Sequence, residues 1–329
     1  MCKEASLTRA IQIDAYCGPD DLRLVDVAVR PPGPGEVRIR VHAAAVNFAD
    51  SLMISNQYQH KPPLPIIPGM EAGGEVIEVG TGVDHLTVGD RVIGYARFGY
   101  FAEEATVSAA QVFRMPAKMS FLQAAAFPIS YGTAHVGLQH RARLQRGEIL
   151  LVTGAAGGVG IAAIEVGKAL GARVVAAAST TEKLDLAARH GADYLVNSRD
   201  EDMIAKIKSL TGGVDVAFDP VGGDAFRAAL KCMNFEGRIL VVGFAGGERQ
   251  MVPANHVLVK NCDIIGLSWS FYREKKLDVD QRAFADLCRM YELGRVNPPV
   301  TETFPLAEAG RALRRLVDRS AMGKLVLTV

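Results

Sequence analysis

The chain lacks the features that mark secreted proteins, membrane-spanning proteins and proteins stabilised by a structural zinc ion. Its five cysteines are scattered through 329 residues, with no C-x-x-C pair, so neither a disulfide framework nor a zinc site is expected. No stretch reaches the roughly 18 apolar residues of a membrane helix, and no apolar signal-peptide core precedes residue 17. We therefore expect a cytoplasmic protein that does not bind membranes. The cysteines are Cys2, Cys17, Cys232, Cys262 and Cys288.

An excess of charge of one sign is also missing. Lys and Arg total 37 against 36 Asp and Glu, for a net charge of +1, and no basic run suggests nucleic acid as a partner. No nucleophile elbow or Ser-His-Asp arrangement is present. The hydrophobic content of 49% and the length predict an ordinary globular protein of about two domains.

The hydrophobic pattern changes character near Phe121. Before it, strictly alternating segments such as Glu36–His42 predict half-buried strands, with further strands at Gly74–Val79 and Asp90–Ile93. After it, helical stretches alternate with six short apolar strands, which predicts a doubly wound parallel sheet in an α/β fold. Those strands are Leu150–Thr153, Val174–Ala178, Tyr194–Val196, Val214–Phe218, Ile239–Val242 and Ile264–Leu267. Beyond Trp269 we expect helices near Gln281–Leu293 and Leu306–Asp318 and a closing strand Lys324–Val329.

The first of the six strands runs into a glycine-rich turn that opens a helix. The turn reads A-x-G-x-x-G, with alanine in place of the first glycine of the usual dinucleotide fingerprint. Gly157 lets the backbone approach a pyrophosphate, Gly160 lets the helix pack close to the strand, and the helix N-terminus attracts phosphate. The alternative is a tight turn without a ligand. The candidate phosphate contacts are Ala156, Gly157, Gly158, Val159 and Gly160.

The second strand favours NADPH over NADH. Proteins that bind NAD usually end this strand with a carboxylate that grips the ribose 2′-hydroxyl. Here Ser179 and Thr180 stand in that place and Lys183 follows shortly after, so two hydroxyls and an ammonium can bind a 2′-phosphate. The alternative, which is compatible with that role, is that Ser179 or Thr180 only caps the next helix.

Several motifs together resemble the zinc-free quinone oxidoreductase branch of the medium-chain dehydrogenase/reductase superfamily, the group that contains ζ-crystallin. The resemblance covers essentially the whole chain and departs from the family's signature segment Gly147–Lys168 only at Glu165, where Gln is usual. The other segments that carry it are Pro34–Val37, Val46–Asp50, Pro68–Gly74, Gly89–Val92, Asp219–Gly223 and Gly243–Gly246.

The resemblance implies a GroES-like, β-rich catalytic domain over residues 1–122, completed by residues 270–329. It implies an NADP-binding Rossmann domain over residues 123–269, with the active site in the cleft between the two domains. Family members often associate through an edge strand of the Rossmann sheet, which here would be Asp263–Leu267. An apolar edge strand needs a partner, so a homodimer is expected.

The resemblance also implies chemistry without a metal. Zinc-dependent members place a cysteine where this chain has Asn47 and a histidine where it has Met70, and their four-cysteine zinc loop is absent after Arg91. Neither an amide nor a thioether replaces thiolate and imidazole on zinc. We therefore expect no metal, and hydride transfer from the nicotinamide to a small molecule that accepts it readily, a quinone or an α,β-unsaturated carbonyl.

By resemblance, Asn47 faces the nicotinamide and the acceptor, and its amide would donate to a developing oxyanion; the alternative is a loop Asx-turn. Asp50 would position Asn47 or a water, or would only cap a helix. Tyr58 would stack on the acceptor or donate a proton. Leu52 replaces a second family tyrosine and makes the pocket more apolar.

The remaining cofactor contacts also come from the resemblance. Thr133 would lie near the nicotinamide, or would bond back to the preceding helical turn. Ser198 stands where the family often has a tyrosine at the 2′-phosphate. Arg319 would reach the adenosine phosphates, or would pair with Asp318. The loops beside the nicotinamide contribute Val221, Gly243, Phe244 and Ala245.

The leading hypothesis is therefore an NADPH-dependent quinone oxidoreductase. An NADPH-dependent reductase of enoyl, alkenal or acyl-thioester substrates is the alternative, because the same architecture serves both. A third hypothesis is a dinucleotide-binding protein without enzymatic activity, since a fold does not fix a function.

Overall fold

The structure, a computed structural model, describes residues 6–329, so Cys2 lies outside the described residues. The strands are β1 (Ser6–Ile11), β2 (Leu24–Val29), β3 (Glu36–Val46), β4 (Glu71–Val79), β5 (Arg91–Tyr95), β6 (Glu104–Ser108), β7 (Val112–Arg114), β8 (Ile149–Thr153), β9 (Arg173–Ala178), β10 (Tyr194–Asn197), β11 (Val214–Asp219), β12 (Met233–Val241), β13 (Asp263–Gly266), β14 (Val300–Pro305) and β15 (Lys324–Thr328).

The α-helices are α1 (Phe48–Ile54), α2 (Phe121–Ala125), α3 (Pro128–His135), α4 (Gly158–Ala169), α5 (Thr181–Arg189), α6 (Met203–Thr211), α7 (Gly223–Cys232), α8 (Ala254–Lys260), α9 (Tyr272–Lys275), α10 (Leu277–Glu292) and α11 (Ala309–Val317). A π-helical segment, Val136–Arg141, continues α3. Short 3₁₀ helices occupy Pro19–Asp21, Ala109–Gln111, Trp269–Phe271 and Leu306–Glu308.

The first of two compact units comprises the residues up to Ile129 together with Pro298–Val329. Its main sheet runs in the order β14-β15-β3-β4-β5-β7, and β6 also pairs with β3. β3 is the central strand, and its alternating burial confirms the half-buried strand predicted at Glu36–His42, which extends to Val46. Ile39 and Val41 from this strand lie in the main core of the unit.

The second unit, Ser130–Asn297, is built on a six-stranded sheet in the order β10-β9-β8-β11-β12-β13. Every pair in this sheet is parallel. Numbered by their place in the chain, the strands follow the order 3-2-1-4-5-6 of a dinucleotide-binding Rossmann sheet. The central strand β8 is buried throughout, as expected when helices cover both faces. The predicted fold class is confirmed.

Five of the six strands predicted for this sheet match the observed ones to within a residue at each end. β12 differs, because it begins at Met233, six residues before the predicted Ile239. Its first half contains Glu236 in a left-handed backbone conformation, and the pairing with β11 shifts register there. This irregular start interrupts the apolar pattern, so the sequence predicts only the regular second half.

The boundaries between the units differ from those expected from the sequence, which lie at residues 122 and 270. Residues 270–297 belong to the Rossmann unit and not to the GroES-like one. The physical reason is packing, since α10 contacts the π-helical segment Val136–Arg141. In addition, the backbone N–H of Asn297 donates to the Glu165 carboxylate at 2.7 Å.

No helix in residues 6–329 combines the length and the apolar character needed to cross a bilayer. The cytoplasmic location stays a prediction, as does the absence of nucleic-acid and membrane partners. The cysteines in the described part of the chain are thiols, namely Cys17, Cys232, Cys262 and Cys288.

Candidate active site

The candidate cofactor residues of the second unit gather at one edge of its sheet. The turn after β8 and the loop after β11 leave neighbouring strands at the point where the strand order reverses. In open α/β sheets, ligands bind at the carboxyl ends of the strands at such a switch point. The loops after β9, β10 and β12 open at the same edge, because all the strands are parallel.

The glycine-rich turn has the shape that a pyrophosphate requires. Gly157 is exposed and caps the N-terminus of the twelve-residue α4, where unpaired backbone N–H groups favour an anion. Gly160 lies directly against the turn, and a Cβ at this position would overlap the carbonyl oxygen of Gly154. Gly160 thus packs as the motif requires, and the approach of a pyrophosphate at Gly157 stays a prediction. Between them lie Gly158 and Val159, both half-buried, and Ala156 precedes them in a buried position.

A buried carboxylate connects the two strands at the switch point through hydrogen bonds. Asp219, at the end of β11, is fully buried and accepts a hydrogen bond from the Thr153 hydroxyl at 2.6 Å. It also accepts from the backbone N–H of Val221 at 3.0 Å and from the Gln250 amide at 2.9 Å. Charge-assisted bonds of this kind are the stronger ones. Asp219 thus fixes the ends of β8 and β11 and the loop carrying Val221 relative to each other.

The loop after β12 is fastened to the same region. The backbone N–H of Ala245 donates to the Pro220 carbonyl at 3.0 Å, and that of Gly246 donates to the Val221 carbonyl at 2.8 Å. Phe244 is 48% exposed, and the Gly243 carbonyl accepts from the Gln250 amide at 3.0 Å. The structure therefore brings Val221 together with the loop that contains Gly243, Phe244 and Ala245, as the nicotinamide prediction requires.

The residues expected at the 2′-phosphate lie at two adjacent strand ends. Ser179 follows β9, and the backbone N–H of Ser198 donates to the Ala178 carbonyl at 2.9 Å, so Ser179 and Ser198 are neighbours. Thr180 caps α5 by accepting from the Lys183 backbone N–H at 3.4 Å. The capping role considered for Thr180 is present, and the phosphate role of these residues stays a prediction.

A second cluster lies inside the first unit, around Asn47. The Asn47 amide nitrogen donates to Glu71 Oε1 at 2.9 Å, and Lys324 Nζ donates to Asn47 Oδ1 at 2.8 Å and to Glu71 Oε1 at 2.6 Å. Glu71 is fully buried, and the Lys324 side chain is 4% exposed. The other carboxylate oxygen of Glu71 accepts from the Ile129 backbone N–H at 2.8 Å. All members of the cluster are therefore hydrogen-bonded, as buried polar groups must be.

Strand register explains how these distant residues meet. β3 lies between β15 and β4 in the sheet, and Leu325 of β15 pairs with Val46 of β3. Lys324 consequently stands opposite Asn47, the residue that follows β3. Glu71 begins β4 beside the same end of β3, because Ala72 pairs with Ala44. Because β3 lies between β15 and β4, Asn47 lies between the Lys324 ammonium and the Glu71 carboxylate.

Asp50 supports Asn47 through the backbone. Its carboxylate accepts from the Asn47 backbone N–H at 2.8 Å, as the reciprocal arm of a capping box at the start of α1. Burial raises the pKa of Asp50 to about 7, although the Asn47 bond and the Lys324 charge both act to lower it. Both roles weighed for Asp50, capping the helix and positioning Asn47, are thus present in one contact.

For three other predicted residues the structure gives a position but does not test the predicted role. Tyr58 follows α1, packs against the main core and donates its backbone N–H to the Leu52 carbonyl at 3.0 Å. Thr133 lies half-buried on α3. Arg319 is exposed just beyond α11 in a left-handed backbone conformation. The contacts of these three residues with acceptor or cofactor stay predictions.

Two residues of these clusters were missed by sequence reasoning. Lys324 reaches Asn47 only through the pairing of strands that are far apart in the chain, which no local pattern reveals. Asp219 could have been found, because it is a carboxylate at the end of an apolar strand at the carboxyl edge of the predicted sheet. Glu71 accepts from the backbone N–H of Ile129 and from the ammonium of Lys324.

The chain matches two family models and is similar to relatives named as quinone oxidoreductases or quinone oxidoreductase-like proteins. The model described as zinc-binding dehydrogenase matches residues 158–282, and that of the alcohol dehydrogenase GroES-like domain matches residues 33–117. Quinone oxidoreductase-like protein 2 of Mus musculus is 42% identical over 311 residues, which cover 94% of this chain and 89% of the relative. Quinone oxidoreductase of Sus scrofa is 34% identical, with 99% of both chains covered.

The chain belongs to the quinone oxidoreductase branch of the medium-chain dehydrogenase/reductase superfamily. The chain is also similar to a solved structure, that of Escherichia coli quinone oxidoreductase in complex with NADPH. The TM-score is 0.89 at 30% identity, with 98% of this chain and 100% of the other covered. The resemblance predicted from the sequence is confirmed.

The residues around Asn47 do not fit a catalytic zinc. Asn47 and Glu71 already share the ammonium of Lys324, and Met70 beside them offers only a thioether, a poor ligand for zinc. Within residues 6–329, no group of three or more His, Cys, Asp or Glu side chains could hold a metal ion.

Proposed function

We propose that this protein is an NADPH-dependent quinone oxidoreductase that transfers hydride to a quinone without a metal. Support at the level of the family is plain, since the chain belongs to an oxidoreductase family. The observation that carries the proposal is the Asn47 amide, which Lys324 and Glu71 hold from two sides. An amide N–H in a buried, charged setting can stabilise the negative charge that develops on an acceptor oxygen.

The cofactor assignment rests on the sheet edge of the Rossmann unit. Its exposed helix start and close-packed Gly160 fit a pyrophosphate, and the E. coli relative was solved with NADPH. Ser179, Thr180 and Lys183 would bind the 2′-phosphate, with Ser198 beside them. Bound NADPH would supply the hydride.

In this proposal the chain's own residues bind, orient and stabilise. Val221 and the loop Gly243–Ala245 would keep the nicotinamide in one position, which converts an encounter into an aligned reaction. Asn47 would donate to the acceptor oxygen as negative charge builds on it, and Asp50 would keep the Asn47 backbone in place. Tyr58 would stack on the acceptor ring. The hydride alone reduces the quinone to its hydroquinone monoanion, and one proton then completes the hydroquinone.

An NADPH-dependent reductase of enoyl, alkenal or acyl-thioester substrates uses the same amide to stabilise an enolate. The two functions are separated by NADPH oxidation with an ortho-quinone, with a matched enone and with no acceptor. Turnover on the quinone alone supports our proposal, and turnover mainly on the enone replaces it with alkene reduction. NADPH binding without turnover on either acceptor favours the non-enzymatic hypothesis.

We also propose that the protein is a homodimer joined through β13. This four-residue strand lies at one edge of the Rossmann sheet. The preceding helix α8 presents Leu258 and Val259, which are 77% and 79% exposed. An apolar sheet edge beside exposed aliphatic side chains is a ready surface for a second copy of this chain.

A further inference from the structure

The cluster around Asn47 contains a closed ring of hydrogen bonds. Lys324 Nζ donates to Asn47 Oδ1 at 2.8 Å and to Glu71 Oε1 at 2.6 Å, and Asn47 Nδ2 donates back to the same Glu71 oxygen at 2.9 Å. Lys324 is 3% exposed and Glu71 is fully buried. Water therefore has little access to the charged side of the ring.

The ring determines which way the Asn47 amide faces. An ammonium only donates and an ionised carboxylate only accepts, so the amide oxygen must face Lys324 and the amide nitrogen must face Glu71. Flipping the amide would set N–H against ammonium and oxygen against carboxylate. Because the ring closes through Oδ1, it uses the Nδ2 hydrogen that is cis to Oδ1. The trans hydrogen is not used by the ring and points away from Lys324 and Glu71.

The ring also polarises the amide. A cation on the oxygen draws electron density from the nitrogen, which strengthens the other N–H as a donor, and hydrogen bonds in a low-dielectric interior reinforce one another.

We propose that Lys324 is a positioning residue, which acts on the acceptor through Asn47 by fixing the orientation of the amide and polarising its second N–H. This inference rests on the proposed reductase function and deepens it. In this role Lys324 does not act as a Lewis acid and does not transfer a proton to the acceptor. Its contribution to the reaction is made entirely through the amide that it orients.

The test is a double-mutant cycle between positions 324 and 47. Lys324→Met removes the cation at similar volume, and Lys324→Arg keeps the charge but cannot reproduce the geometry of an ammonium. We expect each variant to lower kcat for quinone reduction by about tenfold or more, while the Kd for NADPH is unchanged. In an Asn47→Ala background, the same changes should cause no further loss. Lys206→Met, which breaks a surface Lys–Glu pair at Glu201, is the matched control and keeps the wild-type kcat.

A second readout does not depend on turnover. In protein labelled with ¹⁵N-asparagine, the side-chain amide signals of Asn47 are identified by their loss in Asn47→Ala. Lys324→Arg should shift these signals and leave those of the other asparagines in place. Since Lys324→Met leaves the Glu71 carboxylate buried without its cation, the Arg variant provides this readout if the Met variant does not fold.

The outcomes separate this inference from the proposed function. Wild-type turnover with losses that multiply in the double variant overturns the role of Lys324 and leaves the reductase proposal standing. Wild-type protein that binds NADPH but reduces neither quinone nor enone overturns the reductase function, and the inference with it. Asn47 amide signals that are identical in wild type and Lys324→Arg overturn the positioning role whatever the turnover.

Discussion

The hydroxyl of Thr153 donates to the carboxylate of Asp219 at 2.6 Å, and this bond joins the ends of the two strands between which the Rossmann sheet reverses its order. Both side chains are buried. The pair sets the spacing between the glycine-rich turn after β8 and the loop after β11. The expected cofactor site therefore depends on this contact, because Asp219 also accepts from the backbone N–H of Val221.

Thr153→Val tests the importance of this bond, because valine has nearly the same shape and no hydroxyl. Losing a hydrogen bond to a buried charged acceptor should destabilise the protein by roughly 1.5–3 kcal/mol and weaken NADPH binding. Urea unfolding and NADPH titration measure the two effects. Thr106→Val is the control, since the Thr106 hydroxyl donates to a carbonyl on the surface. Equal stability losses in the two variants would show that Asp219 does not depend on Thr153.

The two glycines of the turn should respond differently to alanine. At Gly160 the new Cβ overlaps the backbone of the turn, so Gly160→Ala should destabilise the protein without ligand by roughly 1–3 kcal/mol. At Gly157 the nearest atom is 3.4 Å away, so Gly157→Ala should keep the stability and lose NADPH affinity. Thermal unfolding with and without NADPH distinguishes the two results. Unchanged NADPH affinity in Gly157→Ala would place the pyrophosphate elsewhere.

Lys183→Ala tests the preference for NADPH. If the ammonium binds the 2′-phosphate, the Kd for NADPH should rise by about tenfold and the Kd for NADH should stay constant. Titration of both cofactors by fluorescence gives the ratio, with the exposed Lys118→Ala in the other unit as the control. Equal weakening of both cofactors, or of neither, would mean that Lys183 does not discriminate between them.

The pKa of Asp50 predicts a pH-dependent stability difference. The folded-state pKa is about 7, whereas the ordinary value is 3.8, so the folded protein binds more protons than the unfolded chain between these values. Asp50 therefore makes folding progressively less favourable as pH rises through this window. Asp50→Asn removes the ionisation and can still accept from the Asn47 backbone N–H.

Relative to wild type, the Asp50→Asn variant should gain stability from pH 5 to pH 8. Urea unfolding of both proteins at these two pH values measures the change. A stability difference that is constant across the range would show that Asp50 titrates at its ordinary pKa.

Introducing negative charge at two exposed positions of α8 tests the proposed dimer. Leu258→Asp combined with Val259→Asp places two carboxylates on the exposed face beside β13, where they would be desolvated in an interface. Analytical ultracentrifugation should give a dimer for wild type and a monomer for the variant. Val88→Asp, at an exposed valine of the other unit, should remain a dimer. A monomeric wild type, or a variant that stays dimeric, would contradict the proposed interface.

Much of the fold could be predicted from the sequence because its signals are local. Apolar strands followed by helices predict the parallel sheet, and the turn between Gly154 and Gly160 identifies the strand that starts it. The sequence predicts that residues 270–297 complete the GroES-like unit, whereas in the structure they pack with the Rossmann unit. An amphipathic helix shows which of its faces is apolar but not which unit covers that face. Its partner, the π-helical segment at Val136–Arg141, lies far away in sequence.

The candidate site was only partly predictable for the same reason. Asn47 and Asp50 lie within one capping motif, and the resemblance identifies both. Lys324 reaches Asn47 through antiparallel pairing between the two ends of the chain, and Gln250 reaches Asp219 from a loop. Such contacts follow from register and topology, which a single sequence does not contain.

The most direct test of the central claim is a single turnover by chelator-treated wild-type protein loaded with NADPH and mixed with excess ortho-quinone. We predict rapid oxidation of the bound NADPH, one hydroquinone formed per NADPH, and a rate at least about tenfold lower in Asn47→Ala with NADPH still bound. A matched enone should react slowly or not at all. Bound NADPH that survives the quinone, or activity that returns only when zinc is added, would contradict a metal-independent quinone oxidoreductase.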